Sequence, residues 1–198
     1  MQRFPLTLLF SGLLGLCVPV YPATIYTGTL TGSQEVPPNA SPATGFVTLT
    51  INGDILMVDL SWDGLIGGNP AASHIHCCTP PGNNVTVAIG FPGFPAVTSG
   101  TYSNTFDLTD PAIYTDNFRN NFGGGTGAGA EAALLAGLAA SQAYVNIHNA
   151  VYPGGEIRAD IVPEPASIAL AATGLAVLLL RNMRRGASRR SRMPETSA

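Results

Sequence analysis

From Gly45 to Ile51 apolar and polar positions alternate, with Val47, Leu49 and Ile51 on one side and Thr48 and Thr50 on the other. This two-residue period is that of a strand with one face in a core. The Asn52-Gly53 pair that follows suits a tight hairpin turn, and the next run, Asp54 to Trp62, sets Leu56, Val58, Leu60 and Trp62 on a shared face. Thr24 to Leu30, Ser73 to Cys77, Val85 to Ile89, Gly100 to Phe106, Gln142 to His148 and Glu156 to Ile161 are further short segments between glycine, proline and asparagine. Such runs read as antiparallel strands, and seven or eight of them predict a β-sandwich or barrel.

Two stretches break the alternation and predict helices. Asp110-Pro111 is an N-cap and first-turn pair opening Ala112 to Phe122, and Ala130 to Ser141 is rich in alanine and leucine after the glycine loop 123–129. The second helix can lay Leu134, Leu135 and Leu138 against a sheet. No lysine or hydroxyl follows those glycines in the spacing of a phosphate loop.

Both ends depart from this globular pattern. Arg3 followed by the apolar run Leu6 to Val20 has the form of a secretory signal, with removal expected near Ala23. Leu16 fills the position before Cys17 where a lipidation signal needs a small residue, so Cys17 is expected to leave with the signal. At the other end Pro163-Glu164-Pro165 precedes the apolar run Ala166 to Leu180 and then Arg181, Arg184, Arg185, Arg189, Arg190 and Arg192. Fifteen residues of helix reach ~22 Å, short of the ~30 Å hydrocarbon core, which suits a transient transmembrane anchor. The arginines would stay cytoplasmic, placing the tripeptide and all that precedes it outside. This ordered set resembles a PEP-CTERM sorting signal over residues 163–192. The resemblance implies cleavage near the tripeptide by an exosortase, in a Gram-negative bacterium that makes extracellular polysaccharide.

Between the ends, residues 24–162 form one domain by size. Ten acids stand against Arg119 and Arg158 there, a formal charge of −8, and the whole chain lacks lysine. So acidic a domain repels phosphate backbones, which excludes nucleic-acid binding and leaves cations or neutral glycans as partners.

Several phrases recur in a recognisable order: Leu30-Thr31-Gly32-Ser33-Gln34-Glu35-Val36-Pro37-Pro38, Ser73-His74-Ile75-His76, Tyr144-Val145-Asn146-Ile147-His148, and Pro153-Gly154-Gly155-Glu156-Ile157-Arg158. Together they resemble the CHRD (chordin-type) domain over residues 24–162. The resemblance implies an immunoglobulin-like antiparallel β-sandwich in an extracellular setting. It does not carry growth-factor binding over from the animal members, because fold does not fix function.

The candidate chemistry lies in the same phrases. His74 and His76 would share a strand face about 7 Å apart, within reach of one zinc or copper ion, and His148 could join from a neighbouring strand. The alternative is histidines that hydrogen-bond within the sheet or face solvent. A dismutase copper would need a fourth histidine, and the chain has three. Cys77 and Cys78 follow directly in an oxidising compartment, where a vicinal disulfide, soft ligands added to the histidines, or links to another chain compete, a disulfide being favoured over metal. Glu156 and Arg158 share a face and read as a structural ion pair or hydrogen-bonded strand partners, and Glu35 reads as structural too. No nucleophile elbow and no paired acids argue for catalysis. The sequence therefore predicts a non-enzymatic exported protein of the envelope or exopolysaccharide matrix, with metal binding as the alternative.

Overall fold

The computed structural model describes residues 23–164. The expected signal before Ala23, the apolar run 166–180, Pro165 and the basic residues Arg181, Arg184 and Arg185 lie outside them. Among the described residues no helix is long and apolar enough to cross a membrane.

Strands β1 (Thr24–Thr31), β2 (Thr44–Asn52), β3 (Ile55–Asp63), β4 (Pro70–Cys77), β5 (Val87–Gly90), β6 (Gly100–Asp107), β7 (Ala143–Asn149) and β8 (Ile157–Asp160) are joined by the short β9 (Val162–Pro163). All pair antiparallel in the order β5-β4-β7-β8-β1-β2-β3-β6, with β9 on β1. The class is mainly β with two short helices, as the periodicity predicts. The expected sandwich of two sheets is not confirmed: β1 pairs with β2 along its length and joins β8 at the pair Thr31–Arg158, which links the strands into one curled sheet. The sheet curls until its edges approach: Phe91, just past β5, stacks on Tyr102 of β6 at 5.1 Å, and Trp62 stacks on Phe94 at 4.5 Å.

The hairpin of β2 and β3 follows its sequence pattern. Asn52 pairs with Ile55, Gly53 takes φ 58° in the turn, and Leu56, Val58, Leu60 and Trp62 are buried. Each such apolar side chain contributes ~1.5–3 kcal/mol on leaving water.

The helices differ from their predicted bounds for reasons of capping. Asp110 accepts from the Ala112 amide as expected, but that turn is a 3-10 helix, Pro111–Ile113. Tyr114 then turns extended to bridge Ile89 on β5, and the Thr115 amide donates to the Ala88 carbonyl. Thr115 Oγ1 next caps α1 (Asp116–Phe122) by accepting from the Phe118 amide. Helix α2 (Gly127–Ala139) starts three residues before the predicted Ala130 because Thr126 caps it at the Gly129 amide. Leu134 and Leu138 of α2 are fully buried, and Leu135 packs at the margin of the core.

Strands β4, β7 and β8 differ from the rest. In β3 burial alternates strictly, whereas β7 is buried on both faces except at His148. Its inner residues Val145 and Ile147 join the core, and its outer residues Tyr144 and Asn146 are 3 % and 2 % exposed. What lies beneath the surface on that outer face is polar.

Candidate metal centre

Antiparallel register assembles this face. Across β4 and β7, Ala72 stands opposite His148, His74 opposite Asn146 and His76 opposite Tyr144, and across β7 and β8 Asn146 stands opposite Arg158 and Tyr144 opposite Asp160. Side chains two apart on a strand point the same way, so all of these emerge together. Loops tie down over them: the Asn84 side chain donates to the Val36 carbonyl, His148 Nδ1 meets the Pro153 carbonyl, and Arg158 donates to the Asn83 carbonyl.

The candidate ligand atoms of His74, His76 and His148 lie within 4.8 Å of one another. Imidazoles on one zinc at 2.0–2.1 Å sit roughly 3.3 Å apart in tetrahedral geometry, so small side-chain adjustments close the set on an ion. His76 Nδ1 is 2.8 Å from the Val85 carbonyl, which can only accept, so Nδ1 carries the proton and Nε2 keeps its lone pair. That Nε2 is buried without a partner, as is His74 Nδ1. A ligating histidine normally shows this arrangement, one nitrogen held by a carbonyl and the other left bare.

Burial keeps the rings neutral. It depresses His74 to about 4, helped by His148 and His76. It likewise lowers His76 to about 4 against the opposing pull of the Val85 carbonyl. His148 is lowered by burial, partly offset by its bond to Pro153. Neutral imidazoles are the form that binds zinc or copper. His74 also lines an open pocket of about 770 Å³ beside Phe91, Phe94 and Phe106.

The cysteines are not part of this group. Cys77 faces the core, fully buried, and is joined to Cys78 in a disulfide between sequence neighbours. Both sulfurs pack on Gly137 of α2, where a Cβ would overlap them. Soft ligation alongside the histidines finds no support in this placement, since the potential metal-binding group among the described residues contains histidines alone.

Glu156 and Arg158 do not pair with each other. Glu156 collects the Ser41 hydroxyl, the Ile66 and Gly67 amides and the Asn149 amide group. Burial raises its pKa, but these bonds outweigh that and hold it below the ordinary value. Arg158, with no exposed surface, donates to Asp160, to the Asn83 carbonyl and to Asn84 Oδ1, and lies 3.5 Å from the centre of the Tyr144 ring. Tyr144 in turn stacks on His76 at 4.4 Å.

Glu35 is buried close to Arg158 and Asn146. It is 3 % exposed, its Oε1 has no partner, and burial raises it to about 7, opposed by Arg158, Asn146 and the Val36 amide. Gly155 makes the room, because a Cβ there would collide with the carboxyl. Sequence reasoning passed over Glu35, Tyr144 and Asn146 as members of the site. The signal available was their place inside the same four phrases as the histidines.

A mainly antiparallel β-domain with its polar residues gathered under loops on one face defines the class. The CHRD domain family matches residues 26–161 and the PEP-CTERM protein-sorting motif matches residues 162–185, so the chain belongs to the CHRD-domain family. No curated protein and no solved structure matches it significantly.

Proposed function

We propose that this exported CHRD-domain protein is a non-enzymatic component of the cell envelope or exopolysaccharide matrix that binds one zinc or copper ion through His74, His76 and His148. A CHRD domain followed by a PEP-CTERM motif supports export and sorting by an exosortase, and the tail would serve as a passing membrane anchor. The observation that carries the metal reading is the convergence of three neutral imidazoles, two with a buried nitrogen that no protein group satisfies. Buried polar atoms are nearly always partnered, so two orphans in one imidazole cluster point to a missing partner. Nitrogen donors of intermediate softness suit zinc and copper better than calcium or magnesium, which prefer oxygen.

Elemental mass spectrometry on the untagged protein tests this. Near one zinc or copper per chain, lost in His76→Ala, is the expected result. No metal, even after incubation with both salts, returns the histidines to a purely structural role and leaves matrix binding as the function. The sorting half is tested separately: a reporter fused to residues 160–198 that stayed in the cytoplasm would overturn it.

A further inference from the structure

The three histidines leave a tetrahedral centre one donor short of four, and Asn146 lies beside them. Asn146 stands on β7 opposite His74, is 2 % exposed, and sets its Oδ1 2.8 Å from His148 Nε2. Its Nδ2 donates to the Gly154 carbonyl at 3.4 Å, and the reversed amide would turn its oxygen against that carbonyl instead. The amide orientation is thereby set with the oxygen toward the histidine.

This leaves His148 with a conflict. Nδ1 faces the Pro153 carbonyl at 2.9 Å and Nε2 faces Asn146 Oδ1 at 2.8 Å, so two oxygens compete for one ring proton. A neutral imidazole donates once. With Nδ1–H on Pro153, the lone pairs of His148 Nε2 and Asn146 Oδ1 confront each other. A second ring proton would satisfy both oxygens. A cation seated between the two lone pairs removes the conflict without a second proton.

The spacing agrees. Two donors each roughly 2.1 Å from one metal stand about 3.0–3.4 Å apart at bond angles of 90–109°. The 2.8 Å separation of Nε2 and Oδ1 needs only slight widening. Among the described residues three buried side-chain atoms lack a partner: His74 Nδ1, His76 Nε2 and Glu35 Oε1. Two belong to the histidines, and the third is a carboxyl beside Asn146 whose charge would compensate a dication next to the Arg158 guanidinium. Asn146 stands opposite His74 across the ladder, lies 2.8 Å from His148 and adjoins His76 and Glu35.

We propose that Asn146 Oδ1 is the fourth donor of the centre, giving an ion three imidazole nitrogens and one amide oxygen. This rests on the histidine reading above and fixes the coordination of that same site. An oxygen in the fourth place favours Zn²⁺ and Cu²⁺ over Cu⁺, whose preference is for sulfur.

The test uses the detergent-solubilised full chain without an affinity tag, titrated with Co²⁺ followed by its d–d absorption and with Cu²⁺ followed by electron paramagnetic resonance. Asn146→Leu is expected to bind roughly 10–100-fold more weakly, with a changed cobalt spectrum and copper parameters shifted away from a three-nitrogen, one-oxygen set. Asn146→Asp puts a charged oxygen in the same place, so it should bind several-fold more tightly than the parent and shift the cobalt spectrum while the copper spectrum keeps a three-nitrogen, one-oxygen set. It also serves if Asn146→Leu does not fold, because an Asn146→Asp protein with parental affinity and unchanged spectra would overturn the proposal. Parental affinity and spectra in a folded Asn146→Leu would overturn it as well. His76→Ala separates the two levels: if it binds as well as the parent, or if the parent binds no ion, the histidine site itself is wrong. Loss in His76→Ala with no response at Asn146 removes the fourth donor alone.

Discussion

The guanidinium carbon of Arg158 lies 3.5 Å from the centre of the Tyr144 ring, whose plane is stacked within 5° of the His76 imidazole. A buried cation, an aromatic ring and a candidate ligand thus form one column on the outer face of β7 and its neighbours. Desolvation strengthens a cation–π contact, and the guanidinium is further held by Asp160 and the Asn83 carbonyl. Arg158→Met would leave these acceptors without a donor. It should cost ~3 kcal/mol or more in a urea titration, and Arg158→Lys should recover little, because a point charge cannot serve the same fork of acceptors.

Acid should loosen the metal-free protein in a defined window. His74 and His76 titrate near 4 in the fold and near 6.5 when exposed, so between those values the unfolded chain binds two more protons and stability falls as pH drops. Glu35 works the other way. Its pKa is about 7 in the fold against 4.5 exposed, so the stability it contributes is present in full below 4.5 and is lost as pH rises through 7. From 6.5 down to 4.5 the histidines, His148 with them, prevail over Glu35. Glu35→Gln removes the opposing term, and its melting temperature should fall more steeply with acid than the parent's. An equal slope in calorimetric scans from pH 7 to pH 4.5 would show that the Glu35 carboxyl is already ionised in the fold.

Gly137 faces the sulfurs of Cys77 and Cys78 so closely that a Cβ would overlap both. Gly137→Ala should therefore destabilise by ~1–3 kcal/mol through overpacking, despite the better helix propensity of alanine. Replacing Cys77 and Cys78 together by alanine in the same chain makes room for the new methyl. A double-mutant cycle by chemical denaturation should give a favourable coupling energy, and an additive result would mean that α2 shifts away instead.

The start of the sorting motif is docked on the domain. Val162 and Pro163 pair with Thr27 and Tyr26 of β1, the Glu164 amide donates to the Ile25 carbonyl at 2.8 Å, and Thr27 Oγ1 donates to the Glu164 carboxylate at 2.8 Å. A processing enzyme that reads the tripeptide in extended form has to lift it off this edge. Thr27→Val deletes the side-chain bond, worth ~1 kcal/mol, and should speed the mobility shift of tail removal in a pulse-chase several-fold. An unchanged rate would place the recognised bond beyond Glu164.

The amino-acid sequence by itself determined the strands, because a period of two with turn residues between the runs is a local property: Val47, Leu49, Leu56, Val58, Leu60 and Trp62 are buried in the β2–β3 hairpin as their spacing requires. It also determined the family, through short phrases in order. Helix starts were less legible, since Thr115 and Thr126 are caps whose effect depends on where the chain arrives from β5 and from the glycine loop. Tertiary structure alone decided the continuity of the sheet, which rests on β1 pairing with its sequence neighbour β2 on one side and with the distant β8 on the other. It alone decided the composition of the site. Periodicity says that alternate residues of β7 share a face, but not that loops seal that face, that Glu35 is carried in beneath Gly155, or that Asn146 turns its oxygen toward His148. Those facts come from how separate segments pack over β7, such as Glu35 against Gly155 and Asn83 against Arg158, where burial of a polar group is settled by what covers it rather than by its neighbours in the chain.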